Sequence, residues 1–194
     1  MDRAEEQHLI RLALAGDRDA AAACLRAHQR PLFTYILRMS GRPEIAEDVV
    51  QEAFVRVLAN LDRFDPKYRF STWLFTIARR VYLNTAARKS VRADSDAVES
   101  TAATPADDLV ARTESNTHAA TAIQTALLHL PPIQREIVIL FHQLDWPIAL
   151  VAQHLDLPVG TVKSHLHRGR NRLRILLAEL DESQSDDYAS GDFQ

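Results

Sequence analysis

The sequence predicts an all-α protein, two small helical domains joined by a flexible linker, the C-terminal domain being a helix-turn-helix. Three observations predict it. Apolar residues recur at helical spacing through the first two-fifths of the chain and again from about His118 to Leu180. Between these regions, residues 90–117 (SVRADSDAVESTAATPADDLVARTESNT) hold six acidic residues, two basic ones, a proline and many small polar residues, with little apolar surface to hold a fold. Further on, PIALVAQHL and VGTVKSHLHRGRNRLRILLAEL, parted by the short turn DLP, pair a supporting helix with a basic one.

The elements follow in order. Residues 4–15 make a short amphipathic helix that Gly16-Asp17 ends, with Asp17 placed to cap the next. The second helix, about 18–39, carries Ala20, Cys24, Ala27, Tyr35 and Leu37, and Pro31 should bend it or sit at an irregularity. GRP at 41–43 is a turn. A third helix from about Glu44 to Leu61 has Ile45, Val49, Phe54, Val57 and Leu58 on its apolar side and Glu44, Glu47, Asp48, Gln51, Glu52 and Arg56 on its wetter side. After the connector DRFDPKYRF, a fourth helix begins near Ser71, whose hydroxyl is placed as a cap. In it Trp73, Leu74, Ile77 and Val81 are spaced for burial, and Arg79, Arg80, Asn84 and Arg88 leave an outer surface that is basic or polar.

The organisation is therefore a first domain at 1–89, a flexible acidic linker at 90–117, a second domain at 118–180 and a disordered acidic tail at 181–194. In the second domain AATAIQTALLHL stops at Pro131-Pro132, and a helix starting near Pro132 uses Ile133, Ile137, Leu140 and Phe141. In the last helix Val162, Leu166, Leu173, Leu176, Leu177 and Leu180 form the buried side, and Gly169 permits close approach to a neighbour.

Composition bounds the class. Hydrophobic residues at 46% and charged residues at 25% are those of a soluble globular chain. The formal net charge of −3 averages over opposite regions: residues 1–180 hold 23 Lys or Arg against 21 Asp or Glu, and Arg63 to Arg92 holds eight basic residues and one acidic. A lone cysteine, Cys24, excludes an internal disulfide, and its alanine-rich surroundings suggest a helix interior. The charged start MDRAEEQHLI is unlike a secretory signal, and no apolar run approaches the roughly 20 residues a membrane span needs. The chain reads as cytoplasmic, without membrane insertion.

The chemistry points to nucleic acid. A helix such as 159–180 fits the major groove, with Thr161, Lys163, Ser164, His165, His167 and Arg168 at or beyond the edge of its buried side; Lys163 and Arg168 are placed for bases or phosphates, Arg170 and Arg172 for the backbone. The same pattern also fits a soluble helix with a basic exterior. From Arg63 through Lys89, cations interleave with Phe64, Tyr68, Phe70, Trp73, Phe75 and Tyr82, the mixture that holds single strands. Helical spacing assigns Trp73 and Phe75 to a core and leaves Tyr68 and Phe70 as the exposed candidates. The carboxylates of helix three read as a solvated acidic face, a partner-protein surface, or acid–base or metal chemistry, for which no E-x-x-H companion stands on the helix. No metal-ligand spacing, Walker loop or nucleophile elbow occurs, so the reading has no catalytic residue, cofactor, metal or small-molecule substrate.

AEDVVQEAFVRVL at 46–58, RFSTWLFTIARR at 69–80, LPPIQREIVIL at 130–140 and LPVGTVKSHLHRGRNRLR at 157–174 together resemble a bacterial sigma factor of the extracytoplasmic-function (ECF) group, over most of residues 5–90 and 118–178. The resemblance implies a dissociable RNA polymerase subunit. Asp48, Gln51, Glu52, Phe54 and Arg56 would dock on the clamp coiled coil of the largest core subunit. Arg63, Lys67, Tyr68, Arg69, Phe70, Arg79, Arg80, Asn84 and Arg88 would recognise and open the minus-10 element of promoter DNA, with one base extruded into a pocket near the connector. Thr161, Lys163, Ser164, His167, Arg168, Arg170 and Arg172 would read the duplex minus-35 element while the domain rests on the flap of the other large subunit. An anti-sigma factor would hold such a protein inactive. The chain departs from the family pattern at Asp156, where glycine is common in the turn, at Ala149 and Leu150, where acidic residues are frequent, and at Arg80 and Asn84. An exposed Leu150 is an expected protein contact. The alternatives are a dimeric duplex-binding regulator that acts without polymerase and an adaptor that uses the same helices only against proteins.

Overall fold

The computed structural model describes the backbone of residues 2–93 and 114–189 and the side chains of residues 2–88 and 119–180. Every element is helical among the described residues. The chain divides between Thr104 and Pro105 into two units, each with its own core.

In the first unit, α1 (Arg3–Leu14) opens on Asp2, whose carboxylate accepts the amide of Glu5 at 2.8 Å. Gly16 ends it with φ +96°, and Asp17 then caps α2 (Arg18–Ser40) by accepting the amides of Asp19 and Ala20 at 2.9 and 3.0 Å, as the sequence predicts. Pro31 does not interrupt α2. Pro31 and Ala27, whose carbonyl loses its helical partner, are both exposed, so water can take over that bond. Gly41 closes the helix at φ +70°, its amide donating to Leu37 O at 2.7 Å, and Pro43 occupies the first position of α3 (Pro43–Ala59).

α3 stops two residues earlier than its apolar pattern suggests, and a 3₁₀ turn at Leu61–Arg63 follows. Ile45, Val49 and Val57 are buried as expected, but Leu58 is 50% exposed and Phe54 only half-buried. The buried stripe runs instead through Ala46, Val50 and Ala53, small residues that let α3 lie close to its neighbours.

α4 (Phe70–Ala93) starts in a way sequence does not disclose. Its early amide at Ser71 donates 3.1 Å to Oε1 of Glu6 on α1, so a carboxylate from another helix, rather than the Ser71 hydroxyl, satisfies the helix start. α1 packs on α2, α2 on α3 and α3 on α4. Leu32, Tyr35, Ile36, Val49 and Leu74 are at most 1% exposed, and each of the four aliphatic side chains among them contributes roughly 1.5–3 kcal/mol. Tyr35 tilts against Phe75 at 5.4 Å between ring centres, and the Tyr82 hydroxyl donates to Met39 O at 3.2 Å.

The second unit comprises α5 (Glu114–Leu128), α6 (Pro132–His142), α7 (Ile148–Leu155) and α8 (Val159–Ala189). Arg135 donates to the carbonyls of Leu127, Leu128 and Leu130 at 2.9, 2.7 and 3.2 Å, closing the end of α5. Ile137, Leu140, Val151 and Val162 are fully buried at its centre.

Two expected boundaries move. Of the linker expected at 90–117, residues 90–93 extend α4 and 114–117 begin α5; residues 94–113 lie outside the described residues. Of the tail expected to be disordered at 181–194, residues 181–189 continue α8, and 190–194 lie outside the described residues. A formed helix propagates cheaply, and no glycine or proline intervenes before Gly191.

Candidate nucleic-acid interfaces

The helix-turn-helix is built on a left-handed residue. Asp156 has φ 54° and ψ 47°, and the turn closes with Leu157 N donating to Ala152 O at 3.0 Å. Aspartate tolerates this conformation better than most residues with a Cβ, which is how the turn survives without glycine. Trp146 and His154, both buried, meet edge to face at 5.1 Å and brace α7 from behind. Leu150, expected to be exposed, is half-buried: α7 has only eight residues and turns it partly toward the domain, leaving Ala149 exposed.

On α8, Val162, Leu166 and Gly169 are buried. A Cβ on Gly169 would lie 3.0 Å from Val138 Cγ2 and 3.4 Å from Gln134 Cβ, so the expected close approach is to α6. The opposite face carries Lys163, Ser164, His167 and Arg168, all exposed, with Thr161 half-buried at the edge. Asn171 joins this face, its Nδ2 lying 3.1 Å from His167 Nε2. Sequence reasoning overlooked it because it adds no charge, although it lies one turn beyond His167. Arg168 Nε donates to Ser164 O at 3.3 Å along its own helix. Arg170 and Arg172 are exposed, but Arg172 leans back to donate to Gln134 Oε1 at 3.4 Å.

In the first unit the connector folds around Asp65, whose carboxylate accepts the Lys67 amide at 3.0 Å while its carbonyl accepts that of Tyr68 at 3.1 Å. Arg63, Lys67, Arg69 and Tyr68 are exposed, Tyr68 to 60%. Phe70 is not: it is 2% exposed, within ring contact of Phe64 (5.7 Å), Trp73 (5.9 Å) and His28 (5.6 Å). It anchors the connector to the domain, and a contact between Phe70 and an unstacked base would need that cluster to open. On α4, Arg80, Asn84 and Arg88 are exposed at four-residue intervals, a single line on its outer face, and Arg79 is half-buried beside it.

Behind the connector, Glu6 is 7% exposed and bonded through Oε1 to His28 Nε2 at 3.2 Å and to the Ser71 amide. Burial alone would push its carboxyl up, but the hydrogen bonds from His28 and Ser71 and the charges of His28 and Arg69 outweigh it and hold the group below the ordinary 4.5.

The outer face of α3 exposes Asp48, Gln51, Glu52 and Arg56. Glu52 and Arg56 pair at 2.7 Å, an exposed contact worth about 0.3–0.5 kcal/mol. Val55, 62% exposed, lies at the middle of this face where the sequence reading placed Phe54. Among the described residues no group of three or more His, Cys, Asp or Glu could hold a metal ion, and no helix is long and apolar enough to cross a membrane.

Two family profiles match: Sigma-70 region 2 over residues 24–92 and Sigma-70, region 4 over residues 120–173. The ECF RNA polymerase sigma factor SigW of Bacillus subtilis is 32% identical over 184 residues, covering 88% of this chain and 96% of SigW. The chain belongs to the ECF sigma factor family. RNA polymerase sigma factor CarQ of Myxococcus xanthus is 30% identical, over 86% of this chain and 94% of CarQ. The sigma factor RpoE of Bartonella quintana, solved with the anti-sigma factor NepR, is similar with TM-score 0.66 and 27% identity, over 79% of this chain and 94% of that one. CnrH, solved with the cytosolic domain of CnrY, shares the fold with TM-score 0.68 at 23% identity, over 90% of this chain and 98% of that one. As a member of this family the chain is a sigma factor that directs RNA polymerase to promoters and is not an enzyme.

Proposed function

We propose a division of labour among three surfaces of this sigma factor. The outer face of α3, with Asp48, Gln51, Glu52, Val55 and Arg56, docks on the largest subunit of core RNA polymerase. The connector cations Arg63, Lys67 and Arg69 with Tyr68, continued by Arg80, Asn84 and Arg88, hold the minus-10 element as its strands part. The face of α8 bearing Lys163, Ser164, His167, Arg168 and Asn171 enters the major groove of the minus-35 element, its domain resting on the flap of the other large subunit.

The observation that carries this reading is the α8 face: polar and cationic residues on one exposed side of a helix whose back is pinned at Gly169. Base edges are read by side chains held on a rigid element, and cations alone supply only salt-dependent, sequence-blind affinity. Opening DNA asks for a different surface, one with an exposed ring and cations to follow a flexible backbone, and the connector offers both. Phosphodiester chemistry stays with the polymerase, so the reaction takes place in the cytoplasm with no cofactor or small-molecule substrate on this chain.

An anti-sigma factor is the proposed regulator, supported by the likeness to a sigma factor solved with one. Val55 and Leu58, 62% and 50% exposed on α3, give it apolar surface to cover in competition with core enzyme.

Run-off transcription with purified core polymerase tests the reading. The chain should direct initiation at specific promoters. K163A and R168A should each weaken minus-35-dependent initiation by about 1–3 kcal/mol while leaving core association intact. Gln51→Ala with Val55→Asp should instead abolish core association. Loss of core binding in the α8 variants would overturn the assignment.

A further inference from the structure

The exposed side of α8 changes character along its length. Ser164, Arg168, Asn171 and Ile175 are all exposed and recur every three or four residues, so they form one stripe, with exposed Lys163 beside its start. Ile175 is 52% exposed, more than any other large apolar side chain described in the second unit. The same spacing carries the stripe on through exposed Ala178 to positions 182 and 186, along a helix that runs unbroken to Ala189. The sequence puts Glu182 and Asp186 at those positions and Asp187 alongside.

The stripe is thus opposite in charge on the two sides of Ile175. Arg168 stands seven residues before it and Glu182 seven after; Ser164 and Asp186 stand eleven away, and Lys163 and Asp187 twelve away. These halves cannot meet on their own helix, which holds positions 168 and 182 about 21 Å apart. A second copy laid antiparallel, with the two Ile175 side by side, brings each cationic half against the other copy's acidic half. Every pairing then occurs twice, as a two-fold contact requires of a surface that complements itself. Single exposed ion pairs contribute little, but here the repeated set flanks an apolar centre in which Ala178 is small enough to let the helices close.

We propose that α8 pairs antiparallel with α8 of a second copy of this chain, centred on Ile175, and that the pairing masks Lys163 and Arg168. The masking of DNA contacts rests on the reading of this face as the one that enters the minus-35 groove, whereas the pairing stands apart from it. Duplex DNA and a second copy compete for the same cations, and free chains at high concentration are kept off DNA.

Sedimentation equilibrium of the full chain, over about a hundredfold range of concentration, tests the pairing. Wild type should pass from monomer to dimer as concentration rises, and return toward monomer when salt is raised from about 0.05 to 0.5 M. Glu182→Lys with Asp186→Lys should stay monomeric, and so should Lys163→Glu with Arg168→Glu. Mixed in equal amounts, the two variants should dimerise, because each now offers the charge the other lacks; that recovery also shows both to be folded. A wild type that stays monomeric throughout overturns the pairing and leaves the acidic half to cations elsewhere in its own chain. Dimers that form equally well in either variant alone overturn it too, as does a mixture of folded variants that stays monomeric. Labelled mixed-sequence duplex should convert wild-type dimer to monomer in proportion to the duplex bound. Dimers that bind duplex without dissociating would leave the pairing standing, but overturn the masking and the reading of this face as the groove-facing one. A monomeric wild type that binds duplex would do the reverse, sparing that reading while the pairing falls.

Discussion

Gly169 of α8 lies so close to Val138 of α6 that a Cβ at position 169 would sit 3.0 Å from Val138 Cγ2. Backbone and side chain meet with no room for a larger residue, and α6 thereby fixes how α8 is presented. Gly169→Leu should destabilise the second unit by about 1–3 kcal/mol through overpacking, read by urea denaturation of the full chain. An unchanged midpoint would show that α8 can shift to accommodate the side chain.

The turn at Asp156 makes a second prediction. Because φ is +54°, a β-branched residue there meets its own backbone, and Asp156→Val should cost about 1–2 kcal/mol. Asp156→Gly relieves that conformation and should leave the melting temperature unchanged or slightly raised. A lower melting temperature for the glycine variant would mean that the carboxylate makes a contact worth more than the backbone strain.

Acid should release Glu6. Its carboxyl titrates below the ordinary 4.5 in the folded chain, so the unfolded chain binds the proton first. The stabilisation is complete above 4.5 and disappears as pH falls through the lower native value. The stability difference between wild type and Glu6→Gln should therefore be flat from pH 7 to about 5 and shrink below 4.5, as measured by denaturant titration at each pH.

Cys24 should be chemically silent. Burial, reinforced by the negative charge of Glu6, pushes its thiol up to about 12, and the residue is 1% exposed. At pH 8 a thiol reagent should label the native chain on the order of a thousandfold more slowly than the urea-unfolded chain, with labelling tracking unfolding. Fast labelling without unfolding would place Cys24 in an opening segment of α2.

The helices and their ends were largely legible in the sequence because their signals are local: Asp17, Gly41, Pro132 and the turn at Asp156 act within a few residues of themselves. The connector was not. DRFDPKYRF is too short to show a period, so nothing separated Phe70, buried among three rings, from Tyr68, which is exposed. Glu6 escaped for the opposite reason, since its bond to Ser71 spans 65 positions. On α3 the sequence reading named Phe54 for the docking face; Phe54 is half-buried, and Val55, one residue on and roughly a quarter of the helix circumference round, is exposed. The continuation of α8 beyond Leu180 carried little apolar signal, because it is an extension of a helix already formed.

Arg135 gathers two carbonyls from the end of α5 and one from the turn after it onto a side chain of α6. A polypeptide cut at Pro131 to isolate the paired reading helices would keep the guanidinium and discard these three carbonyls, exposing the flank of α6 at the same stroke. The smallest excisable version of this module consequently starts before α5, well upstream of the segment that meets the groove.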